Sequence, residues 1–178
     1  MIVAYDPRWP AHYEQERAAL VTALGTRMLG IEHVGSTAVS GLAAKPIIDI
    51  LIGLPRLEDA DDCADTLATL GYQFVAEALA YLPDDRYFRR LVNSVERVIE
   101  EVHLHATAYG STFWRDRIRF RDMLRSSPLL ADDYLELKRE LARRYTPGPD
   151  YSIAKTDFIQ RTLSRASELP PGMVQPAN

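Results

Sequence analysis

The chain has 178 residues, enough for one ordinary domain to bury a core without a disulfide or metal staple, and its single cysteine excludes an internal disulfide. It is 47% hydrophobic and 26% charged, with a net charge of −4 and a mean hydropathy of −0.19, which excludes a disordered or fibrous chain and gives no overall field for nucleic acid or an acidic membrane. No apolar run reaches the about 18 residues of a membrane-spanning helix, and MIVAYDPRWP lacks a basic stretch followed by an apolar one, so a cytoplasmic protein is expected.

Trp9, Tyr13, Leu20, Val21 and Leu24 are spaced as one helical stripe, with the stem of Arg17 in its middle and Asp6-Pro7 as a start signal. Arg27–Val34 reads as a strand and a short helix is expected from Ser36. Pro46–Leu54, dense in Ile and bounded by prolines, reads as a buried strand. LEDADDCADTLATLGY gives a helix with Leu57, Ala60, Ala64, Leu67 and Leu70 on one face, stopped by Gly71. Cys63 lies among its acidic residues, where a thiolate is disfavoured.

Strand signals resume at Tyr72–Val75, then at Tyr87–Val92 and Arg97–Ala106, the last two joined by a hairpin turn around Asn93-Ser94. The sheet is therefore expected to be mixed. From Ser111 three helical segments follow, with a period of about 3.6 residues, separated by Pro128 and by the linker from Thr146 to Pro149. Residues 1–168 are expected to form a single α+β domain with a helical C-terminal part, 111–168, and residues 169–178 a flexible tail.

The segment HVGSTAVSGLAAKPIIDILIGL, residues 33–54, concentrates the chemistry. Gly35, Ser36 and Thr37 lie between a strand and a helix start, where backbone N–H groups and hydroxyls can receive phosphate oxygens. Asp49 interrupts an isoleucine-rich strand, where an ionised carboxylate is costly unless it is paired or binds a metal. Alternation puts Ile47, Asp49 and Leu51 on one face, and likewise Glu101, His103 and His105 on one face of a later strand. Lys45, Arg89, Arg121, Lys138 and Lys155 are candidate cations for a phosphate. Lys45 follows the Gly-Ser turn closely, and Lys155 shares a helical face with Tyr151.

EHVGSTAVSGLAAKPIIDI, followed by HLHA, FRDMLR, LKRELARRY and the Tyr151–Lys155–Phe158 helix, resembles the GrpB family, which also occurs as a domain appended to dephospho-CoA kinases. The likeness runs from about Tyr5 to about Thr162. It implies a nucleotidyltransferase-like mixed β-sheet with flanking helices and a C-terminal helical bundle. Members of that fold superfamily use a Gly-Ser helix entrance for a triphosphate, and two alternating carboxylates plus a third from a later strand for magnesium. Carried onto this chain, the resemblance implies phosphate binding by Gly35 and Ser36 and a metal carboxylate at Asp49. The second carboxylate position holds Leu51, which cannot ligate a cation, so Glu101, His103 or His105 would have to complete the site for Mg2+, Mn2+ or a softer metal.

Plain structural readings stand beside these. Ser36 also reads as an empty N-cap, Asp49 as the partner of an Arg on a neighbouring strand, and His103 and His105 as phosphate donors or hydrogen-bonded core imidazoles. His33 reads as a structural hydrogen bond to a loop, while Trp9, Trp114, Phe113 and Phe120 read as core anchors. The leading expectation is a protein that binds a nucleoside triphosphate and a divalent metal and transfers a nucleotidyl group to a small acceptor. Asp49 and Lys45 would be catalytic, with Gly35, Ser36, Thr37, Arg121, Tyr151 and Lys155 around the nucleotide. The alternatives are a non-catalytic nucleotide or phosphate module, or folding aid, of the same fold, and a metal-dependent hydrolase using Asp49, His103 and His105.

Overall fold

The structure is a computed structural model that describes residues 1–92, 98–145 and 149–168. Helix α1 (Trp9–Leu24) begins where Asp6 accepts hydrogen bonds from the Arg8 backbone N–H at 2.9 Å and ends at Gly25 in the left-handed region, φ 54°. Its buried stripe is Trp9, Tyr13, Leu20 and Leu24. Arg17 and Val21 are exposed, contrary to expectation. The turn between Tyr13 and Leu20 is covered instead by Glu16, which accepts from the Tyr72 hydroxyl at 3.0 Å and pairs with Arg90.

Strand β1 (Gly30–Val34) starts later than the sequence suggests, because Gly25–Arg27 closes a 3-10 turn first. The others are β2 (Ile47–Leu54), β3 (Gln73–Phe74), β4 (Arg86–Leu91) and β5 (Glu101–Ala108). The sheet order is β1-β2-β5-β4-β3, with β2 and β5 parallel and the remaining pairs antiparallel. The sheet is mixed, as expected. The turn at Asn93-Ser94 and the tail 169–178 lie outside the described residues.

The acidic segment does not form one long helix. It folds as a 3-10 turn (Glu58–Ala60) followed by α2 (Ala64–Thr69), with i→i+3 bonds such as Cys63 N–H to Ala60 C=O at 3.2 Å. Four aspartates within seven residues favour such tight local bonding over a regular helix. Ala60, Cys63 and Leu67 are buried, and burial pushes the Cys63 thiol pKa up. A 3-10 segment, Ala76–Ala80, was not foreseen.

On one face of the sheet Ile48, Ile50, Ile52, Val102, Leu104 and Ala106 join α1 and α2 in the main apolar core, with Trp9 fully buried and donating its indole N–H to the Val98 carbonyl at 3.0 Å. The other face carries α3 (Thr112–Ser126), capped by the Ser111 hydroxyl, and α4 (Pro128–Arg144), capped by Ser127 with Pro128 in its first turn. The last helical segment is two pieces, α5 (Pro149–Ile153) and α6 (Thr156–Glu168), divided at Ala154-Lys155. Val39, Leu42, Phe120, Leu124, Tyr134 and Leu163 form a second apolar cluster here, and Val34, Leu51 and Trp114 a third. Among the described residues, no helix is long and apolar enough to cross a membrane.

Candidate functional site

The parallel pairing of β2 with β5 aligns Ile47 with Glu101, Asp49 with His103, and Leu51 with His105. Directly paired residues project to the same face, so both polar sets meet on the face beneath the C-terminal helices. The neighbouring strand β1 brings Val34 opposite Asp49 and delivers the chain to Gly35 beside the carboxylate. A Cβ on Gly35 would lie 2.1 Å from Asp49 Oδ2, and its φ of +71° is one that glycine adopts freely. Glycine is therefore required for backbone and carboxylate to touch.

Ser36–Ala38 is a single 3-10 turn, so no helix dipole of useful length is aimed at the site. Ser36 Oγ instead accepts a hydrogen bond at 3.1 Å from Lys138 Nζ, which also donates to the Ala43 carbonyl at 2.7 Å. Thr37, expected to bind phosphate, is buried and spends its hydroxyl proton on the Ile47 carbonyl at 2.9 Å. Its oxygen then accepts from His33 Nε2 at 3.1 Å. Burial holds the His33 pKa down at about 4, so this ring is neutral and structural, as expected.

His103 lies between two carboxylates, with Nδ1 3.4 Å from Asp49 Oδ1 and Nε2 2.8 Å from Glu101 Oε2. Burial alone would lower its pKa, but the hydrogen bonds and charges of Asp49 and Glu101 outweigh that and raise it to about 9. Burial acts to raise the Asp49 pKa, yet His103, His105 and Lys155 bring the net shift below the ordinary carboxylate value. His105 turns elsewhere: its Nδ1 is 2.5 Å from Oδ2 of Asp85, and its ring stacks on Tyr87 at 5.1 Å. Asp85 is almost fully buried, and its Oδ1 has no hydrogen-bond partner among the described residues.

Three lysines converge on this group. Lys45 Nζ lies 3.9 Å from the centroid of the buried Tyr151 ring and Lys155 Nζ 4.7 Å from it, so one aromatic ring serves two cations. Burial lowers the Lys45 pKa against the opposing charges of Asp49 and Glu101. The Lys138 pKa falls to about 7 through burial and the charges of Lys155 and Arg139. That of Lys155 falls to about 8, where burial, Arg117 and Lys45 together exceed the attraction of Asp49. Lysines held this close, short of counter-charge, favour a bound anion.

Lys138, one of the candidate cations, joins the site although the sequence assigns it no role at the nucleotide. Its signal was its place on the buried stripe of α4 between Tyr134 and Leu141. Arg121, expected at the nucleotide, is committed to structure, donating to Glu32 at 2.6 Å, Asp122 at 2.8 Å and the His33 carbonyl at 2.9 Å. That network pins α3 to β1. Arg89 is exposed on β4 opposite His103 in the strand register and stands at the rim.

The donor set expected for a divalent metal does not fit one. An imidazole whose two nitrogens both face carboxylates carries a proton on each and has no lone pair to give. The Nδ1 of His105 is taken by Asp85, and Leu51 belongs to the apolar cluster with Val34 and Trp114. Among the described residues, no group of three or more His, Cys, Asp or Glu converges to hold an ion. The hydrolase built on Asp49, His103 and His105 loses its metal by the same argument.

The sequence matches the family model described as GrpB protein over residues 1–165. It is 33% identical to a UPF0157 protein of Halalkalibacterium halodurans, over 93% of this chain and 82% of that one. It is also 32% identical to a dephospho-CoA kinase of Mycolicibacterium paratuberculosis, covering 93% of this chain but only 45% of that protein. Among solved structures it is similar to the conserved protein GrpB from Enterococcus faecalis, with a TM-score of 0.76 and 30% identity over 93% of this chain and 96% of that one. A weaker likeness is to Cid1 in complex with its short product ApU, with a TM-score of 0.48 and 18% identity over 80% of this chain and 43% of the other. By the extent of the family match and the near-complete overlap with a solved member, this chain belongs to the GrpB family.

Proposed function

We propose that this chain is a nucleotidyltransferase-like protein that binds a nucleoside triphosphate through its polyphosphate, in the cleft between the polar face of the sheet and the C-terminal helices. The observation that carries this reading is the convergence of Lys45, Lys138 and Lys155 on Ser36 and Asp49. An ammonium has three donors, and Lys138 uses two of them on Ser36 and Ala43, leaving one for a phosphate oxygen. In transfer, an acceptor hydroxyl oxygen bonds to the α-phosphorus and the bond to the bridging oxygen breaks. Pyrophosphate leaves with that electron pair, and the acceptor's proton passes to water. Calorimetric titration with ATP, CTP, GTP and UTP tests the binding. Lys138→Met or Lys155→Met is expected to weaken it by about tenfold or more, the worth of a charged hydrogen bond. Wild-type protein that binds none of the four would refute the reading.

Leu51 favours a second reading, a binding module without transfer, because the strand lacks the second carboxylate that would polarise the α-phosphate through a metal. The same titrations followed by a pyrophosphate-release assay against small hydroxylated acceptors separate the two: a module binds nucleotide and releases none.

A further inference from the structure

We infer that the imidazolium of His103, held between Asp49 and Glu101, stands where a divalent cation would bridge these carboxylates, so that the cleft takes its polyphosphate free of metal. The second half of this statement rests on the polyphosphate reading above; the first stands on the geometry of the three side chains alone. With 3.4 Å from Nδ1 to Asp49 and 2.8 Å from Nε2 to Glu101, both ring nitrogens are directed at groups that only accept hydrogen bonds when ionised. The ring is therefore a two-proton donor and a positive charge at the centre of the site.

Its surroundings keep it there. The Tyr87 ring from β4 packs edge-on at 5.3 Å, Gly35 closes on Asp49 Oδ2, and Glu101 comes from its own strand. Lys45, Lys155, Arg89, His105 and Lys138 are among the other groups whose fields reach the two carboxylates, and each acts on them as positive charge. A divalent ion entering here would have to expel the imidazolium against these charges and would find Leu51 in place of the next ligand. A polyphosphate meets the lysines directly and needs no metal to neutralise it.

Two measurements test this. Nitrogen NMR of the His103 side chain at neutral pH should show both ring nitrogens protonated, with signals that remain sharp when Mn2+ is added. Inorganic tripolyphosphate should bind in EDTA, and Mg2+, which complexes it in solution, should weaken that binding and not strengthen it. In His103→Gln, which keeps side-chain donors but not the charge, the affinity in EDTA should fall about tenfold and Mg2+ should restore it. A thermal melt establishes that the variant is folded, and His103→Asp, expected to bind Mn2+ in its own right, serves as the second variant. A singly protonated ring, broadening of its signals by Mn2+, or tripolyphosphate binding that EDTA abolishes in the wild type would each overturn the inference. Tripolyphosphate that binds under neither condition sinks the polyphosphate reading, while the NMR result still decides the state of His103.

Discussion

Lys138 makes the anion reading quantitative. In the free protein its pKa is about 7, pulled down from 10.5 chiefly by burial, and that of Lys155 is about 8. A polyphosphate beside either amine restores the cost-free charged form, so binding must draw protons onto whichever lysines are neutral. At a pH of about 8 roughly nine-tenths of Lys138 and half of Lys155 are neutral, and triphosphate binding should take up about 1.4 protons. The sign follows directly: affinity is greatest when both amines are already protonated and falls as pH rises. At a pH of about 8.5 Lys138 alone costs about 2 kcal/mol, a loss of roughly thirtyfold, and Lys155 adds about fourfold. Titration calorimetry in buffers of different ionisation enthalpy reads the proton uptake, and Lys138→Met should remove most of it. Binding that is flat with pH from about 7 to 8.5, or that proceeds without uptake, would refute the placement of phosphate beside these amines.

Two further outcomes bear on the frame that holds the site. Gly35→Ala would place a methyl 2.1 Å from Asp49 Oδ2 at a φ of +71°, and backbone strain plus the overlap should cost about 2–4 kcal/mol in urea unfolding; a change below about 1 kcal/mol would mean that Asp49 moves freely. His103, with its pKa raised from 6.5 to about 9, contributes stability that is fully present below pH 6.5 and is lost as pH rises through about 9. The contribution is at most about 3 kcal/mol; because Lys138 and Lys155, with lowered pKa values, gain stability over the same range, the readout is the difference in unfolding free energy between wild type and His103→Gln, which should shrink as pH rises through that window.

What the sequence made legible here was local and periodic. The alternation that placed Asp49 opposite in sense to Ile48 and Ile50, and grouped Glu101 with His103 and His105, is how both strands are built, because one face of each must enter the apolar core. The parallel register that sets Asp49 beside His103 was not legible, since it depends on a crossover through α2, β3 and β4 whose length carries no register signal. Asp85 was missed for a related reason: it lies just before β4, in no pattern, and its role appears only when β4 pairs with β5. Arg121 was misread because its neighbours in the chain are also arginines, and only the packing of α3 against β1 separates the buried one from the solvated ones. The stripe of α1 failed at Arg17 because Glu16, with Arg90 and Tyr72 as partners, satisfies its own charge at the sheet edge.

Leu51 and His103 bear on the same balance of charge. Leu51 joins Val34 and Trp114 in an apolar cluster that anchors α3, so the position where the resemblance implies a second carboxylate is used for packing. With Asp49 and Glu101 as the acidic groups of the site, a single positive charge on His103 offsets part of their charge, and Lys45 and Lys155, both packed on the Tyr151 ring, act on the rest. A dication in the place of the imidazolium would meet fewer ligands and more neighbouring cations, both of which weaken its hold. A leucine where the resemblance implies a carboxylate and an imidazolium between the two carboxylates present thus act in the same direction, and on the proposed reading the lysines are the part of the site that answers to a ligand's charge.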